Sequence, residues 1–352
     1  MSKYLDKVLF QLFPIISFYI YALPELINSS LVQALGFILA IPYLFRYISH
    51  NKINYWLLLL LLSLTFGSLI NLLNTRNGIG GTLVVITTLS LSLFCLDNLR
   101  QMRFHIFMVL LYTLIFLATN IFIFKTDPNE IYLLQGYSRN HGGFLLILWV
   151  SFYGFVQYIM KSRVVLFWPL LAFFLSFFLV GRSSMGILLI LCVLLLLKKS
   201  GKYAILSLTV ILVLIFYFKN FFIDAYELTS FHRKSMDTQR YDIWYQYLHS
   251  IDGISFFLGA DTMSIPLIAS FDGNTHNSFL KLHSRTGIFG FIVVIYLLVV
   301  SSCKFIKNKK YIPLLFLLAV CSRIFFDNPC FVGPHDFVLY TMMLYPSYKT
   351  PN

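Results

Sequence analysis

The residues best suited to chemistry lie in one short polar stretch, NTHNSFLKLHSRTGIFG, which runs from Asn274 to Gly290 and leads into an apolar run. If Asn274 or Thr275 caps a helix, His276 falls in its first turn and shares a helix face with His283. The helix dipole disfavours a protonated imidazole there, so a neutral His276 could accept a proton. We predict that His276 is a general base. The alternative is a structural hydrogen-bonding histidine, the commoner role for a lone histidine beside a membrane.

Arg182 lies in FLVGRSSMGILL, between two apolar runs with almost no loop. An arginine this close to hydrocarbon costs free energy unless it reaches the lipid headgroups or pairs with an anion. The small and hydroxyl side chains of Gly181, Ser183 and Ser184 favour the anion site over a simple headgroup anchor. A planar guanidinium also suits bidentate contacts to phosphate.

A third polar segment, TQRYDIWYQYL, predicts an amphipathic helix. Its apolar residues recur at the spacing of one helix face: Tyr241, Trp244, Tyr245 and Leu248. Such a helix most simply lies along the membrane surface. Arg240 lies at the edge of that face. A helix on the membrane surface does not explain an arginine at this position, whereas a bound phosphate group would. Both interpretations of Arg240 stay open.

A fourth segment, GYSRNHGGF, places Arg139, Asn140 and His141 beside a glycine pair. We assign it a ligand-positioning role. The cysteines show neither a metal spacing nor a pairing pattern. Cys321 and Cys330 could approach each other as a disulfide, but two buried free thiols are favoured.

The chain lacks the sequence equipment of several common chemistries. It contains no Walker-type phosphate loop, no His-Glu-x-x-His, no Cys-x-x-Cys and no Asp-x-Asp. The 14 carboxylates are scattered and form no obvious acid–base pair. We therefore expect neither ATP hydrolysis, nor zinc hydrolysis, nor metal-held nucleotide-sugar transfer, and we predict no metal and no cofactor.

Composition identifies the elements that must position these residues. Of 352 residues, 59% are hydrophobic and 12% charged, with a mean hydropathy of +0.79, whereas soluble domains carry about 25% charged residues. Apolar runs long enough to cross a bilayer recur from end to end. We predict an all-α polytopic membrane protein, a single integral membrane domain over residues 1–352. The net charge of +13 reflects the basic residues expected on cytoplasmic segments, not nucleic-acid binding.

About twelve transmembrane helices are predicted: 8–24, 31–47, 54–74, 81–97, 104–124, 143–160, 164–181, 183–198, 202–219, 286–303, 311–326 and 331–347. The distribution of Lys and Arg places both termini in the cytoplasm. One long periplasmic loop, 220–285, then joins the ninth and tenth helices. Its aromatic content predicts short amphipathic helices and not disorder. All four polar segments fall on the periplasmic side.

Together these features resemble the bacterial O-antigen ligase and Wzy-type polymerase superfamily. The ligases carry His, then Asn, Ser or Gln, then nine residues, then Gly-x-x-Gly/Thr/Tyr, which is matched here by His276-Asn277 and Gly287-Ile-Phe-Gly290. The family's arginine in a short Ser-Arg turn is matched by Arg182, although here the serines follow it. Its arginine shortly before a tryptophan is matched by Arg240 and Trp244.

The resemblance implies a GT-C-like fold and metal-independent glycosyl transfer at the periplasmic face of the bacterial inner (cytoplasmic) membrane. The donor would be a glycan on undecaprenyl pyrophosphate. A ligase, the favoured branch, passes it to lipid A–core in lipopolysaccharide biosynthesis, and a polymerase passes it to a growing glycan. His276, Arg182 and Arg240 would be catalytic. The substrate-binding residues would be Arg139, Asn140, Asn277, Trp244, His283 and Arg285.

A transporter or flippase of lipid-linked polysaccharide is the competing class. Transporters tend to show repeated halves and ionisable groups at the membrane midplane. Here the two halves differ in loop lengths and most charges fall near helix ends, which favours the enzyme.

Overall fold

The computed structural model describes residues 6, 8–23, 30–50, 55–71, 80–127, 130–131, 140–179, 182–199, 239–327, 329–331 and 333–348. Within these ranges the chain is helical and contains no β-strand. The predicted α-helical class is therefore confirmed.

The helices of these ranges, numbered in chain order, are α1 Phe13–Ala22, α2 Ser30–His50, α3 Tyr55–Asn71, α4 Gly80–Asp97, α5 Leu99–Ala118, α6 Asn140–Ile159, α7 Phe167–Phe178, α8 Arg182–Lys199, α9 Arg240–His249, α10 Gly253–Leu258, α11 Pro266–Ala269, α12 Ser278–Lys307, α13 Tyr311–Phe325 and α14 Asp336–Leu344. Single π-helical turns, Val8–Leu12 and Thr119–Ile123, precede α1 and extend α5. Short 3₁₀ turns, Thr262–Ser264 and Tyr345–Ser347, precede α11 and follow α14.

Five helical segments are long and apolar enough to cross a membrane: Leu31–Ser49, Gly80–Asp97, Leu99–Ile123, Asn140–Ile159 and Ser278–Lys307. Shorter apolar helices lie at Val8–Ala22, Leu58–Leu69, Phe167–Phe178, Ser183–Lys198 and Tyr311–Phe325. These segments overlap all the predicted transmembrane helices except two.

The two exceptions are the predicted helices 202–219 and 331–347. The first lies outside the described residues. The second appears as α14, which has only 9 residues before a 3₁₀ turn. At 1.5 Å per residue this helix is about 14 Å long, half the thickness of a hydrocarbon core. The chain before it forms turns, because the Asp336 carboxylate accepts hydrogen bonds from the backbone N–H groups of Phe331 (2.7 Å) and Gly333 (2.9 Å).

The core of the bundle is built around α4 and α6. Helix α6 packs against α5, α7 and α13, while α4 packs against α2 and α14. Both helices carry apolar residues on every face, as expected of helices surrounded by protein. Trp149 of α6 and Phe94 of α4 are fully buried.

Other helices leave a stripe of large apolar side chains exposed. On α12 the exposed residues recur every three or four positions, along one helix face: Phe289, Ile292, Tyr296 and Val299. A similar stripe follows α2: Leu31, Leu35, Ile38 and Phe45. Water-soluble proteins rarely expose apolar surface on this scale. The long apolar helices and these stripes together indicate a membrane-embedded protein.

Candidate functional site

Several helices meet at their N-termini around one ion pair at the end of α13. The Arg323 guanidinium donates from Nη2 to the Asn140 carbonyl at the start of α6 (2.8 Å) and from Nε to Ser184 Oγ in the first turn of α8 (2.9 Å). The Asp327 carbonyl accepts from Ser278 Oγ, the first residue of α12 (2.9 Å). Helix N-termini carry partial positive charge, so their convergence favours an anion nearby.

Arg323 is the centre of this arrangement. Its side chain is 1% exposed, and Nη2 also donates to Asp327 Oδ2 at 2.8 Å. No residue in the described part of the chain accepts a hydrogen bond from Nη1. Arg323 is not among the site residues predicted from the sequence. The available signal was the i, i+4 spacing of Arg323 and Asp327 at the end of an apolar helix.

The start of α12 differs from the sequence prediction. Asn277, and neither Asn274 nor Thr275, caps the helix, because its Oδ1 accepts from the N–H groups at positions 279 (2.8 Å) and 280 (3.2 Å). The Asn274 side chain instead accepts from the His276 N–H at 2.8 Å, within the preceding turn. His276 therefore precedes the helix, with φ 49°, and does not share a helix face with His283.

His276 is partly buried, and its ring makes no hydrogen bond to any residue in the described ranges. The ring packs edge-on against Phe271, with centroids 5.4 Å apart. Its Nδ1 is buried without a hydrogen-bond partner among the described residues. Burial lowers the pKa of His276 below 6.5, Asp327 acts against this, and Arg240 lowers the pKa further. This direction of the pKa favours the neutral imidazole, and its main cause is burial and not the helix dipole.

Helix α9 brings Arg240 close enough to His276 for their charges to interact. On the predicted apolar face of this helix, Tyr241, Tyr245 and Leu248 are exposed by half or more, which is compatible with a face that lies on the membrane surface. The buried face consists of Ile243 and Tyr247, with Trp244 beside them and Arg240 at its N-terminal edge. These positions also recur at helical spacing, which explains why an arginine lies beside apolar residues.

Trp244, a predicted substrate-binding residue, connects α9 to its surroundings. Its Nε1 donates to the Thr275 carbonyl at 3.1 Å, next to His276. Its ring packs edge-on against Phe325 at the end of α13, with centroids 5.4 Å apart. The polar atom of Trp244 is therefore engaged by the protein, and the residue helps to fix His276.

His283, also a predicted substrate-binding residue, has both ring nitrogens engaged. Its Nε2 donates to the Phe256 carbonyl at 3.1 Å, since a carbonyl can only accept. Its Nδ1 then accepts from the Tyr247 hydroxyl at 2.8 Å. His283 thus joins α9 and α10 to α12, which is a structural role.

The glycine of the His-Asn spacing pattern marks a kink in α12. Gly287 has φ 64° and ψ −169°, and a Cβ added there would lie 1.8 Å from the Phe257 carbonyl oxygen. Gly259 approaches α12 in the same way, with φ 93° and its Cβ position 2.5 Å from the His283 carbonyl oxygen. Two backbones therefore touch where α10 ends, and both contacts require glycine.

Two cations lie one turn apart on α12. Lys281 and Arg285 are close enough for their charges to interact, and the charges of Asp327 and Asp336 also reach Lys281. Arg285 is partly buried, and within the described ranges its guanidinium forms no hydrogen bond or ion pair. A guanidinium in this apolar setting favours an anionic partner, in line with the predicted substrate contact.

The remaining predicted residues are placed only in part. Arg139 lies outside the described residues, and α8 begins at Arg182, whose side chain is not among those described. The backbone of α8 nevertheless starts beside Arg323, through Ser184. Asn140 contributes its carbonyl oxygen to Arg323.

Among the residues that the structure describes, no group of three His, Cys, Asp or Glu side chains could hold a metal ion. Cys321 and Cys330 are both buried and free, which confirms the favoured alternative for this pair.

The arrangement combines a neutral imidazole with cationic groups. A neutral histidine can take a proton from a hydroxyl group, and guanidinium groups with helix N-termini can stabilise a leaving anion. No known protein family, characterised protein or solved structure matches the chain.

Proposed function

We propose that this protein is a glycosyltransferase that moves a glycan from undecaprenyl pyrophosphate to an acceptor hydroxyl, without a metal ion. The observation that carries the proposal is the neutral, partly buried His276 beside Arg240, where α6, α8 and α12 begin. A base and an anion-stabilising environment in one place are what transfer from a diphosphate donor needs.

The reaction exchanges one bond at the anomeric carbon of the donor sugar. The acceptor oxygen bonds to this carbon while the bond from the carbon to the diphosphate oxygen breaks. The hydroxyl proton passes to the His276 imidazole and later to water. The electron pair leaves with the diphosphate, whose charge is stabilised by Arg240, Arg182 and the helix N-termini.

We propose the ligase branch of this chemistry, in which lipid A–core is the acceptor in lipopolysaccharide biosynthesis. The support is the His276-Asn277 pair followed at the ligase spacing by Gly287 and Gly290. A polymerase would instead lengthen a growing glycan on the same lipid-linked donor. The two branches are separated by their products.

The proposed setting is the bacterial inner membrane, crossed by about twelve helices with both termini cytoplasmic. The site then faces the periplasm, and residues 239–277 form the part of the periplasmic loop that folds as α9, α10 and α11. The basic residues Lys304 and Lys307, at the opposite end of α12, support this orientation.

The test is transfer by the purified protein in detergent, with undecaprenyl-pyrophosphate glycan and lipid A–core, without nucleotide and with EDTA. We expect transfer by the wild type, and its loss by about 10²- to 10⁴-fold in His276→Ala. His249→Ala is the matched control, because His249 is exposed and its one hydrogen bond within the described residues is to a carbonyl of its own helix.

Three other results would contradict parts of the proposal. Normal transfer by folded His276→Ala would remove His276 as the base. A ladder of lengthened lipid-linked glycans, without lipid A–core product, would assign the protein to the polymerases. No transfer in detergent, with movement of lipid-linked glycan across intact vesicles, would identify a transporter.

A further inference from the structure

The Asp327 carboxylate is held in a fixed position near the start of α12. The side chain is buried, and its Oδ2 accepts from Arg323 Nη2 at 2.8 Å. Arg323 is itself fixed by the Asn140 carbonyl of α6 and the Ser184 hydroxyl of α8. The position of this carboxylate is therefore determined by three helices and not by the flexible end of one.

The backbone of Asp327 is attached to the loop that carries His276. Its carbonyl accepts from Ser278 Oγ at 2.9 Å, two residues after His276. The same hydroxyl accepts from the Cys330 N–H at 3.2 Å, in the segment that follows Asp327. Backbone and side-chain contacts thus fix the position of Asp327 relative to the loop that carries His276.

We infer that Asp327 is a positioning residue for His276, held by Arg323 so that its negative charge stabilises the imidazolium formed when the histidine accepts a proton. This inference rests on the proposed function, because it assigns the base of that reaction a charged partner. Nothing in the spacing of the two residues in the sequence indicates the pairing.

The charges around His276 suit the proposed proton transfer. Among the described residues, the charged groups whose fields reach the ring are Asp327, after α13, and Arg240, from α9. The ring contact from the turn after α11 is the uncharged Phe271. Burial, assisted to a smaller extent by Arg240, favours the neutral resting imidazole. In the proposed reaction Arg240 also faces the departing diphosphate, whereas Asp327 favours the protonated state reached after transfer. The two residues therefore act at different stages of one reaction.

A purely structural Asp327 is the alternative, since the Arg323–Asp327 pair joins several helices. Both roles would lower activity when Asp327 is replaced, so activity alone does not separate them. The pKa of His276 does, because only a charge partner raises it. The measurement is an NMR pH titration of ring-labelled histidine in detergent micelles, with the His276 signal identified by its loss in His276→Gln.

We expect Asp327→Asn, which keeps the shape of the side chain and removes its charge, to lower the pKa of His276. Arg240→Gln should raise it, because the opposing charge is removed. Asp336→Asn is the matched control: this buried carboxylate bonds to the backbone at positions 331 and 333 and does not act on His276. It should leave the His276 titration unchanged. Glycan transfer by Asp327→Asn should fall by up to about tenfold for each unit of pKa that is lost, the limit in which the proton is fully transferred in the transition state.

Asp327→Asn leaves the Arg323 charge buried without its partner and could prevent folding. The double variant Arg323→Gln/Asp327→Asn removes both charges together, and folding of each variant is checked by size-exclusion chromatography. A lower pKa of His276 in either folded variant supports the inference. An unchanged pKa in a folded variant overturns it. The titration needs no substrate. A wild type that transfers no glycan would therefore contradict the proposed function, while the effect of Asp327 on the pKa of His276 is still measured independently.

Discussion

His276 and His283 are seven positions apart in one polar stretch, but their rings differ in the hydrogen bonds that they make to the protein. Both nitrogens of His283 are engaged, by Tyr247 and by the Phe256 carbonyl. The ring of His276 makes no hydrogen bond to the described residues, and its Nδ1 is buried. A buried nitrogen without a partner costs about 1–3 kcal/mol, a cost that a bound substrate or an ordered water would relieve. At the residue scale, this difference separates the histidine suited to catalysis from the structural one.

The lowered pKa of His276 predicts how transfer depends on pH. A general base works in its neutral form, so activity falls as the pH drops through the pKa of the base. Burial holds that pKa below the ordinary 6.5, with Arg240 acting in the same direction. We therefore expect kcat/KM for glycan transfer to fall on the acid side with a midpoint below pH 6.5.

The measurement is kcat/KM from about pH 4.5 to 8 under conditions where the wild type stays folded. Arg240→Gln provides the internal comparison, since loss of its charge should move the acidic midpoint to higher pH. A wild-type midpoint above pH 6.5 would show that His276 is not the residue whose titration limits the reaction.

At the scale of elements, α12 is shaped by two residues that interrupt a regular helix. Asn277 fixes its first turn by accepting two backbone N–H groups. Gly287 bends it at the point where the end of α10 makes contact. Between these points lie Lys281 and Arg285, so cap and kink together set the direction in which the cationic segment points.

We predict that Gly287→Ala destabilises the contact between α10 and α12. The added Cβ would meet the Phe257 oxygen at 1.8 Å, and alanine disfavours the φ of 64° found there. The expected loss in unfolding free energy is about 2 kcal/mol or more. It is measured by thermal unfolding in detergent, together with protease cleavage in the α10 segment.

Gly253→Ala is the matched control, because Gly253 begins α10 and a Cβ there meets nothing within 4 Å. This variant should unfold within about 0.5 kcal/mol of the wild type. Equal stability of the two alanine variants would contradict the interpretation of Gly287 as a contact that requires glycine.

At the scale of the whole molecule, the Arg323–Asp327 pair connects helices that are distant in the sequence. It links the end of α13 to the starts of α6, α8 and α12. Beyond the kink at Gly287, residues 288–307 of α12 span about 30 Å, enough to cross a membrane, and the polar first turns lie before the kink. The candidate site and the basic residues Lys304 and Lys307 therefore lie at opposite ends of α12.

This arrangement predicts the accessibility of engineered cysteines in cells. In a Cys303→Ser background, which removes the exposed native cysteine, Ser270→Cys should react with a membrane-impermeant thiol reagent added from outside. Asn308→Cys, exposed at the other end of α12, should react only after the cells are opened. The outer membrane is made permeable to the reagent in both samples. Labelling in the reverse order would overturn the proposed orientation.

Local patterns were sufficient for some elements and not for others. The apolar runs correctly predicted the helices around α4 and α6, because a helix in a membrane must be apolar along its length. The spacing of apolar residues did not reveal the second, buried face of α9, Ile243 and Tyr247, because tyrosine can lie at a wet surface as readily as in a core. The predicted cap of α12 was wrong. The side chains of Asn274 and Asn277 both accept a hydrogen bond from the backbone N–H two residues ahead, but only Asn277 is followed by a helix.

By itself, the sequence determined that the protein is helical and membrane-embedded, and it singled out His276 and Arg240, because hydropathy and residue type act over short distances along the chain. Only the tertiary structure decided that His283 is structural, that Arg240 faces inward, and that Arg323 and Asp327 connect the helices around His276. The reason is physical: Arg323 contacts residues 183 and 139 positions away. Contacts of that range depend on how the helices pack and leave no periodic pattern in the sequence.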